Sequence, residues 1–424
     1  MHEPRPPPSR SELESLLDRL DPSAPPGAQA ALAGLREGLA SSVDTAGARY
    51  FGMPHAAPLD AAVEAAWLAT AYNPELAVTE HAPFAVLAER RAIAWVGARL
   101  GVTGEGAFTT GGAESNLSAL LVALARDDAY RRGGVRALPR EPRIYASREA
   151  HPSVDRAARA AGLGDEAVCR VAVDEQGAMR PGELRAAIHR DLSRGMAPQL
   201  IVATAGTTTR GAFDPLDDVA DVAARVGAAL HVDAAWGGLL AFSSRRAALH
   251  GLERADSVAF DAHKGLFSPL GTGMLFVKEA GALRRTFGVH AGYLPRRARD
   301  PVHEGLRWSR RFDGAPVVAA LAAEGDDGLR ARVDAMLRLA DRLASRLAEA
   351  GFVLLPRSPL PVVGFAAGEP RARLAALRAQ ALARAGAHVV VTRLPSGSSF
   401  LRAAVGSSRT TEQDIDALVD ALRS

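Results

Sequence analysis

Between residues 60 and 320, short apolar runs alternate with stretches of helical period. The runs at 143–147, 168–173, 200–203, 229–232, 258–260 and 273–277 are mostly continuous in apolar residues. That pattern predicts strands covered on both faces of a mostly parallel sheet. The stretches between them read as helices. Leu117, Leu120, Leu121 and Leu124 follow the i, i+3, i+4, i+7 rule just after Gly111-Gly112. Val219, Val222, Ala223 and Val226 do the same, with Asp214 predicted as N-cap, Pro215 in the first turn and Gly227 at the end.

The flanks differ in texture. Before residue 60 the chain is Pro-rich, and Ser11 is expected to cap a short helix with Glu14 completing a capping box. Residues 21–27 form a turn-rich linker. Beyond 320 a helix over roughly 328–350 precedes strand candidates near 352–355, 362–365, 387–392 and 400–404, then a last helix from Thr410-Thr411 through Ile415 and Leu418. The expected organisation is an N-terminal helical segment (1–59), a large α/β domain (60–320) and a small C-terminal α+β domain (321–424).

Composition narrows the function. The 424 residues are 48% hydrophobic and 23% charged, as for a globular protein with a substantial core. A formal charge of +3, with acids and bases interspersed, implies no nucleic-acid partner. One cysteine, Cys169, excludes an internal disulfide framework and suits a reducing compartment. No apolar run reaches membrane-spanning length, and the first residues lack the apolar core of a signal peptide, so a cytoplasmic protein without membrane attachment is expected. No metal-ligand spacing stands out.

Among 51 basic residues, lysine occurs only at Lys264 and Lys278. Arginine replaces lysine as a surface charge, but a guanidinium cannot form a Schiff base with an aldehyde. Lys264 follows an apolar run and a histidine, in Asp261-Ala262-His263-Lys264, and is therefore suspected of covalent chemistry. Lys278 reads as an ordinary residue at a strand end.

Three further loops stand beside predicted strand ends or helix starts, where open α/β sheets bind ligands. Gly111-Gly112 before the leucine-striped helix suits a phosphate cradle, or a plain helix start. His151 follows the 143–147 run and is either a surface histidine or a ligand contact. Asp233, in His231-Val232-Asp233-Ala234-Ala235, places a carboxylate on a ligand or caps the next loop. In combination, an amine, a carboxylate and an N–H cradle suit pyridoxal phosphate: the amine for its aldehyde, the carboxylate for its ring nitrogen, the cradle for its phosphate.

These segments, with Thr204-Ala205-Gly206-Thr207-Thr208 and Asp214-Pro215, resemble the group II pyridoxal-phosphate-dependent amino acid decarboxylases, from about residue 51 to the C-terminus. The group includes aromatic-L-amino-acid, glutamate, cysteine-sulfinate and diaminobutyrate decarboxylases. The resemblance implies the aspartate-aminotransferase-like type I fold and a reaction giving an amine and CO2 from an L-amino acid. It implies Lys264 as the Schiff-base lysine, Asp233 as the partner of the pyridinium nitrogen, and His151 stacked on the cofactor and orienting the substrate carboxylate. Ala235 is implied against the other ring face, and Thr208 near the ring. Gly111, Gly112 and Ala113, aided by Asp261 and His263, are implied around the phosphate. Tyr293 matches a mobile-loop proton donor, or is an ordinary loop tyrosine. Arg402 matches an arginine that binds substrate carboxylate, or sits in a structural ion pair. Homodimers are usual in the family.

The sequence also departs from the pattern. Residues 75–81, where aromatic-amino-acid enzymes place bulky groups, are smaller and more polar, which argues against an aromatic substrate. Other type I chemistries (aldehyde-forming oxidative decarboxylation, another lyase, transamination) and an inactive scaffold remain as alternatives.

Overall fold

The computed structural model describes residues 9–292 and 300–423. Seven strands form the main sheet: β1 (Glu105–Thr109), β2 (Pro142–Ser147), β3 (Val168–Val171), β4 (Ala197–Thr204), β5 (Ala229–Asp233), β6 (Ser257–Asp261) and β7 (Gly273–Val277). Their order is β1-β7-β6-β5-β4-β2-β3. β3, β2, β4, β5 and β6 pair in parallel, and β7 runs antiparallel to both β6 and β1. Every position of β5, β6 and β7 is buried, which is why these strands read as continuous apolar runs.

Parallel pairing aligns the strand ends. Thr204 lies opposite Asp233 and Asp233 opposite Ala259, so the loops after β4, β5 and β6 leave the same edge of the sheet. β8 (Val362–Phe365), β9 (Val390–Arg393) and β10 (Ser399–Ala404) form a separate antiparallel sheet in the order β8-β10-β9. A mostly parallel α/β sheet with a small C-terminal sheet is the architecture the sequence predicts.

Several local expectations need correction. The first helix, α1 (Arg10–Asp18), is capped by Ser9, not Ser11: Ser9 Oγ accepts from Glu12 N, and Glu12 accepts from Ser9 N at 2.6 Å. Two Ser-x-x-Glu patterns overlap here, and the earlier one forms the box. Asp214 caps no helix. It is buried, and its carboxylate accepts Met179 N at 2.7 Å and Thr204 N at 2.8 Å, tying the turn after β3 to the end of β4. The helix that follows, Leu216–Val226, has Pro215 at its cap position and does end on Gly227, at φ 69°.

The long C-terminal helix spans Ala315–Glu349 but breaks at Gly325, whose φ of 61° is in the left-handed region that glycine tolerates. Near 352–355 only Leu354 pairs, as an isolated bridge to Phe365. A helix at Arg371–Ala385 has no counterpart in the sequence reading, because its alanines and arginines give little apolar contrast.

Candidate active site

The helix α2 (Gly112–Leu124) starts where β1 ends, and its first turn lies against the loops after β5 and β6. A Cβ added to Gly112 would lie 3.0 Å from Ala235 Cβ and 3.4 Å from Asp261 Oδ2. A Cβ on Gly111, at φ 147°, would lie 3.5 Å from His263 Cε1. Gly112 therefore lets backbone approach the segment after Asp233, and at Gly111 the positive φ is what favours glycine. Gly273, at the start of β7, is tighter still: a Cβ there would lie 2.5 Å from Gly111 Cα.

Asp233 ends β5 at the buried centre of this edge. Its carboxylate accepts Asn116 Nδ2 at 2.8 Å and Ala235 N at 3.2 Å. Asn116, buried in α2, also donates to Ser153 Oγ at 2.7 Å, and its Oδ1 meets His231 Nε2 at 2.9 Å. Burial pushes the His231 pKa down to about 4, so the ring is neutral at physiological pH. Asn116 Oδ1 only accepts, so His231 Nε2 carries the proton, and His231 Nδ1 pairs with Ser257 Oγ at 2.9 Å.

From Ser153 the chain of bonds reaches His151. Ser153 N donates to His151 Nδ1 at 3.2 Å, and Ser153 Oγ lies 2.8 Å from the same atom. An amide N–H can only donate, so Nδ1 is unprotonated and Nε2 is left to carry the ring proton. Residue 151 is exposed at the rim, yet enough of its ring is packed that desolvation lowers its pKa, while Asp233 acts in the opposite sense.

Lys264 lies one turn beyond β6, in the short helix Ala262–Gly265, with its side chain 20% exposed. Its Nζ is 2.7 Å from Asp261 Oδ2. His263 Nε2 is 3.5 Å from the same oxygen, and His263 Nδ1 donates to Thr272 O at 2.9 Å. Burial lowers the His263 pKa, as it does that of His55, whose ring centroid lies 6.3 Å away.

Arg402, on β10, is 3% exposed and bonds neutral partners: Nη1 donates to Thr208 O and Nη2 to Gly52 O at 2.7 Å. Among the described residues no carboxylate pairs with it, and its Nε has no partner. The structural ion pair weighed from sequence is thus absent from the described residues. Gly52 and His55 belong to one segment, and Ala56 N reaches His263 O at 3.3 Å, so residues 52–56 run between Arg402 and the Lys264 turn.

The structure brings Gly111, Gly112, His151, Asp233, Ala235, Asp261, His263 and Lys264 to one edge, with Thr208 and Arg402 joined to it through residues 52–56. Ala113 follows in the first turn of α2. Tyr293 lies outside the described residues. Sequence reasoning missed Asn116, Ser153, His231 and His55 as site residues. His231 lay within a motif already noted, and Asn116 lies in the first turns of the leucine-striped helix. Only the fold shows that one asparagine serves both Asp233 and Ser153.

Comparison with known proteins agrees with this geometry. Residues 12–367 match the pyridoxal-dependent decarboxylase conserved domain. The chain is 33% identical over 432 residues to L-2,4-diaminobutyrate decarboxylase of Rhizobium meliloti (strain 1021), covering 97% of this chain and 85% of that protein. It is 35% identical over 348 residues to cysteine sulfinic acid decarboxylase of Rattus norvegicus, covering 79% of this chain and 70% of the relative. The crystal structure of mouse CSAD in apo form superposes with a TM-score of 0.90 at 29% identity, covering 98% of this chain and 92% of that one. The chain therefore belongs to the pyridoxal-dependent decarboxylases, carboxy-lyases of the type I fold that act on amino acids with pyridoxal phosphate.

Proposed function

We propose that Lys264 is the residue to which the cofactor is attached, and that the surrounding residues direct it to remove the α-carboxylate of an amino acid with a polar side chain. The observation that carries this reading is the bonded chain from Asp233 through Asn116 and Ser153 to His151, laid beside Lys264. The residues suit the cofactor chemically: the Gly111-Gly112 turn packs the start of α2, with its free backbone N–H groups, close to the loops that carry Ala235, Asp261 and Lys264. Bound there, pyridoxal phosphate supplies an electron sink for the bond being broken.

Asp233 would hold a proton on the ring nitrogen of the bound cofactor, and Asn116 and Ala235 N fix the direction of its carboxylate. His151, with its proton on Nε2, would contact the bound cofactor and orient the substrate carboxylate, favouring the Cα–carboxylate bond over Cα–H by positioning. Gly111, Gly112, Ala113 and His263 cradle the phosphate, and Ala235 and Thr208 line the ring. Arg402, a buried guanidinium with no carboxylate partner among the described residues, binds the substrate's carboxylate. Tyr293 returns the proton to the product carbon.

The related enzymes are named for substrates of opposite side-chain charge, so substrate choice rests on this chain's own residues. The 75–81 loop contributes less polarity than its sequence suggests. Glu75 Oε1 accepts Ala77 N at 2.8 Å, and Thr79 N and Oγ1 both donate to Asp300 Oδ1, at 2.9 and 2.7 Å. Those groups anchor the loop. Incubation with a panel including L-2,4-diaminobutyrate, cysteine sulfinate, glutamate and aromatic amino acids, with CO2, amine and aldehyde measured, tests the reading. Amine from a polar member supports it; amine from aromatic members alone overturns the substrate class.

The functional unit is a homodimer in the cytoplasm. The helices at Arg10–Asp18 and Ala28–Ala40 bury no residue within the chain, and Leu32, Leu35 and Leu39 stand exposed along the second. A second copy supplies the apolar surface this pair lacks. A lone, unpaired Cys169 agrees with a reducing compartment. Among the described residues no helix is long and apolar enough to cross a membrane.

A further inference from the structure

Asp261 stands among the groups that the family resemblance puts around a phosphate, yet a carboxylate repels a phosphate dianion. The structure turns it elsewhere. Asp261 occupies the cap position of the Ala262–Gly265 helix, but its side chain caps nothing. It is 2% exposed, its Oδ2 lies 2.7 Å from Lys264 Nζ, and its buried Oδ1 has no hydrogen-bond partner among the described residues. Among the described residues, His263 on the same turn, His55 from the 52–56 segment and His151 from the loop after β2 are titratable groups that interact with it. The backbone at Gly111 and Gly112 closes the remaining side.

We propose that Asp261 is the proton shuttle for Lys264, serving attachment of the cofactor aldehyde and not recognition of its phosphate. This rests on Lys264 being the attachment residue. The Lys264 ammonium passes a proton to Asp261 Oδ2, and the freed lone pair forms the C–N bond at the aldehyde carbon. A proton shift from nitrogen to the former carbonyl oxygen makes a hydroxyl. Asp261 returns its proton to that hydroxyl, which leaves as water as the C=N bond forms. Ammonium and aldehyde thus become a protonated C=N link and water, and Asp261 is again a carboxylate. With Oδ1 taking no other donor, the carboxylate is free for this exchange.

The test is the rate at which cofactor-free protein captures pyridoxal phosphate and, separately, phosphate-free pyridoxal, followed by growth of the visible absorption band. Wild type is compared with Asp261→Asn and Asp261→Glu, with thermal melts confirming that each folds. Asp261→Asn slows capture of both aldehydes by the same factor, roughly 100-fold for loss of an acid–base group, and Asp261→Glu recovers part of the rate. Equal capture rates in wild type and Asp261→Asn, or an effect confined to the phosphorylated aldehyde, overturns the shuttle. If wild type develops no band with either aldehyde, the assignment of Lys264 itself fails, and the shuttle with it.

Discussion

Asn116 Nδ2 donates to Asp233 Oδ2 at 2.8 Å and to Ser153 Oγ at 2.7 Å, so one buried amide binds the end of β5 to the loop that carries His151. Replacing it with leucine leaves Asp233, Ser153 and His231 each short of a partner in the core. An unsatisfied buried polar group costs about 1–3 kcal/mol. Asn116→Leu is expected to melt several degrees below wild type and to bind pyridoxal phosphate at least tenfold more weakly. Thermal denaturation and absorbance titration check both. Wild-type affinity in a folded variant would remove Asn116 from the site.

Gly273 tests the fit of the cradle. A Cβ there would meet Gly111 Cα at 2.5 Å and Gly111 N at 2.7 Å, which are backbone atoms that cannot rotate away. Overpacking of this kind costs about 1–3 kcal/mol. Gly273→Ala is predicted to weaken cofactor binding tenfold or more by shifting the Gly111-Gly112 turn, with a smaller fall in melting temperature.

The buried Asp214 makes a prediction about pH. Burial raises its pKa from 3.8 to about 7, although the N–H groups of Met179 and Thr204 act to lower it. The folded state then holds a proton that the unfolded state has released, so this group's contribution to stability falls as pH rises from about 4 to about 7. Asp214→Ala removes the dependence but leaves two N–H groups unpaired. The gap in melting temperature between wild type and Asp214→Ala is expected to be wider at pH 5 than at pH 8. A gap that widens with pH would contradict the sign.

Tyr293→Phe removes the proposed proton donor while keeping the ring. Amine formation is predicted to slow by about 100-fold or more, with part of the flux diverted to aldehyde by oxidative deamination. Product analysis under air and under nitrogen checks it. Amine formed at the wild-type rate would take that role from Tyr293.

Much of the site was legible because its chemistry lies next to strand ends, and fully buried strands such as β5 and β6 announce themselves as apolar runs. Lys264 was conspicuous because the chain writes almost every other cation as arginine. β1 escaped notice because Glu105 and Gly106 interrupt its apolar character, and only pairing with β7 makes it a strand. The roles of Asp214 and Thr79 were not legible in the sequence, for a shared reason. Asp214 was expected to cap a helix and Thr79 belonged to a stretch read only as polar, yet each is committed to a partner distant in sequence, Asp214 to Met179 and Thr79 to Asp300. Hydrogen-bond partners so far apart along the chain leave no local signal in residue spacing.

Attachment of the cofactor to Lys264 is tested by reducing the loaded protein with borohydride, digesting it and locating the modified peptide by mass spectrometry. Stoichiometric labelling of the peptide containing Lys264 is expected, with loss of label in Lys264→Ala and none on Lys278. Label on Lys278, or no covalent label in protein that holds the cofactor, would contradict it.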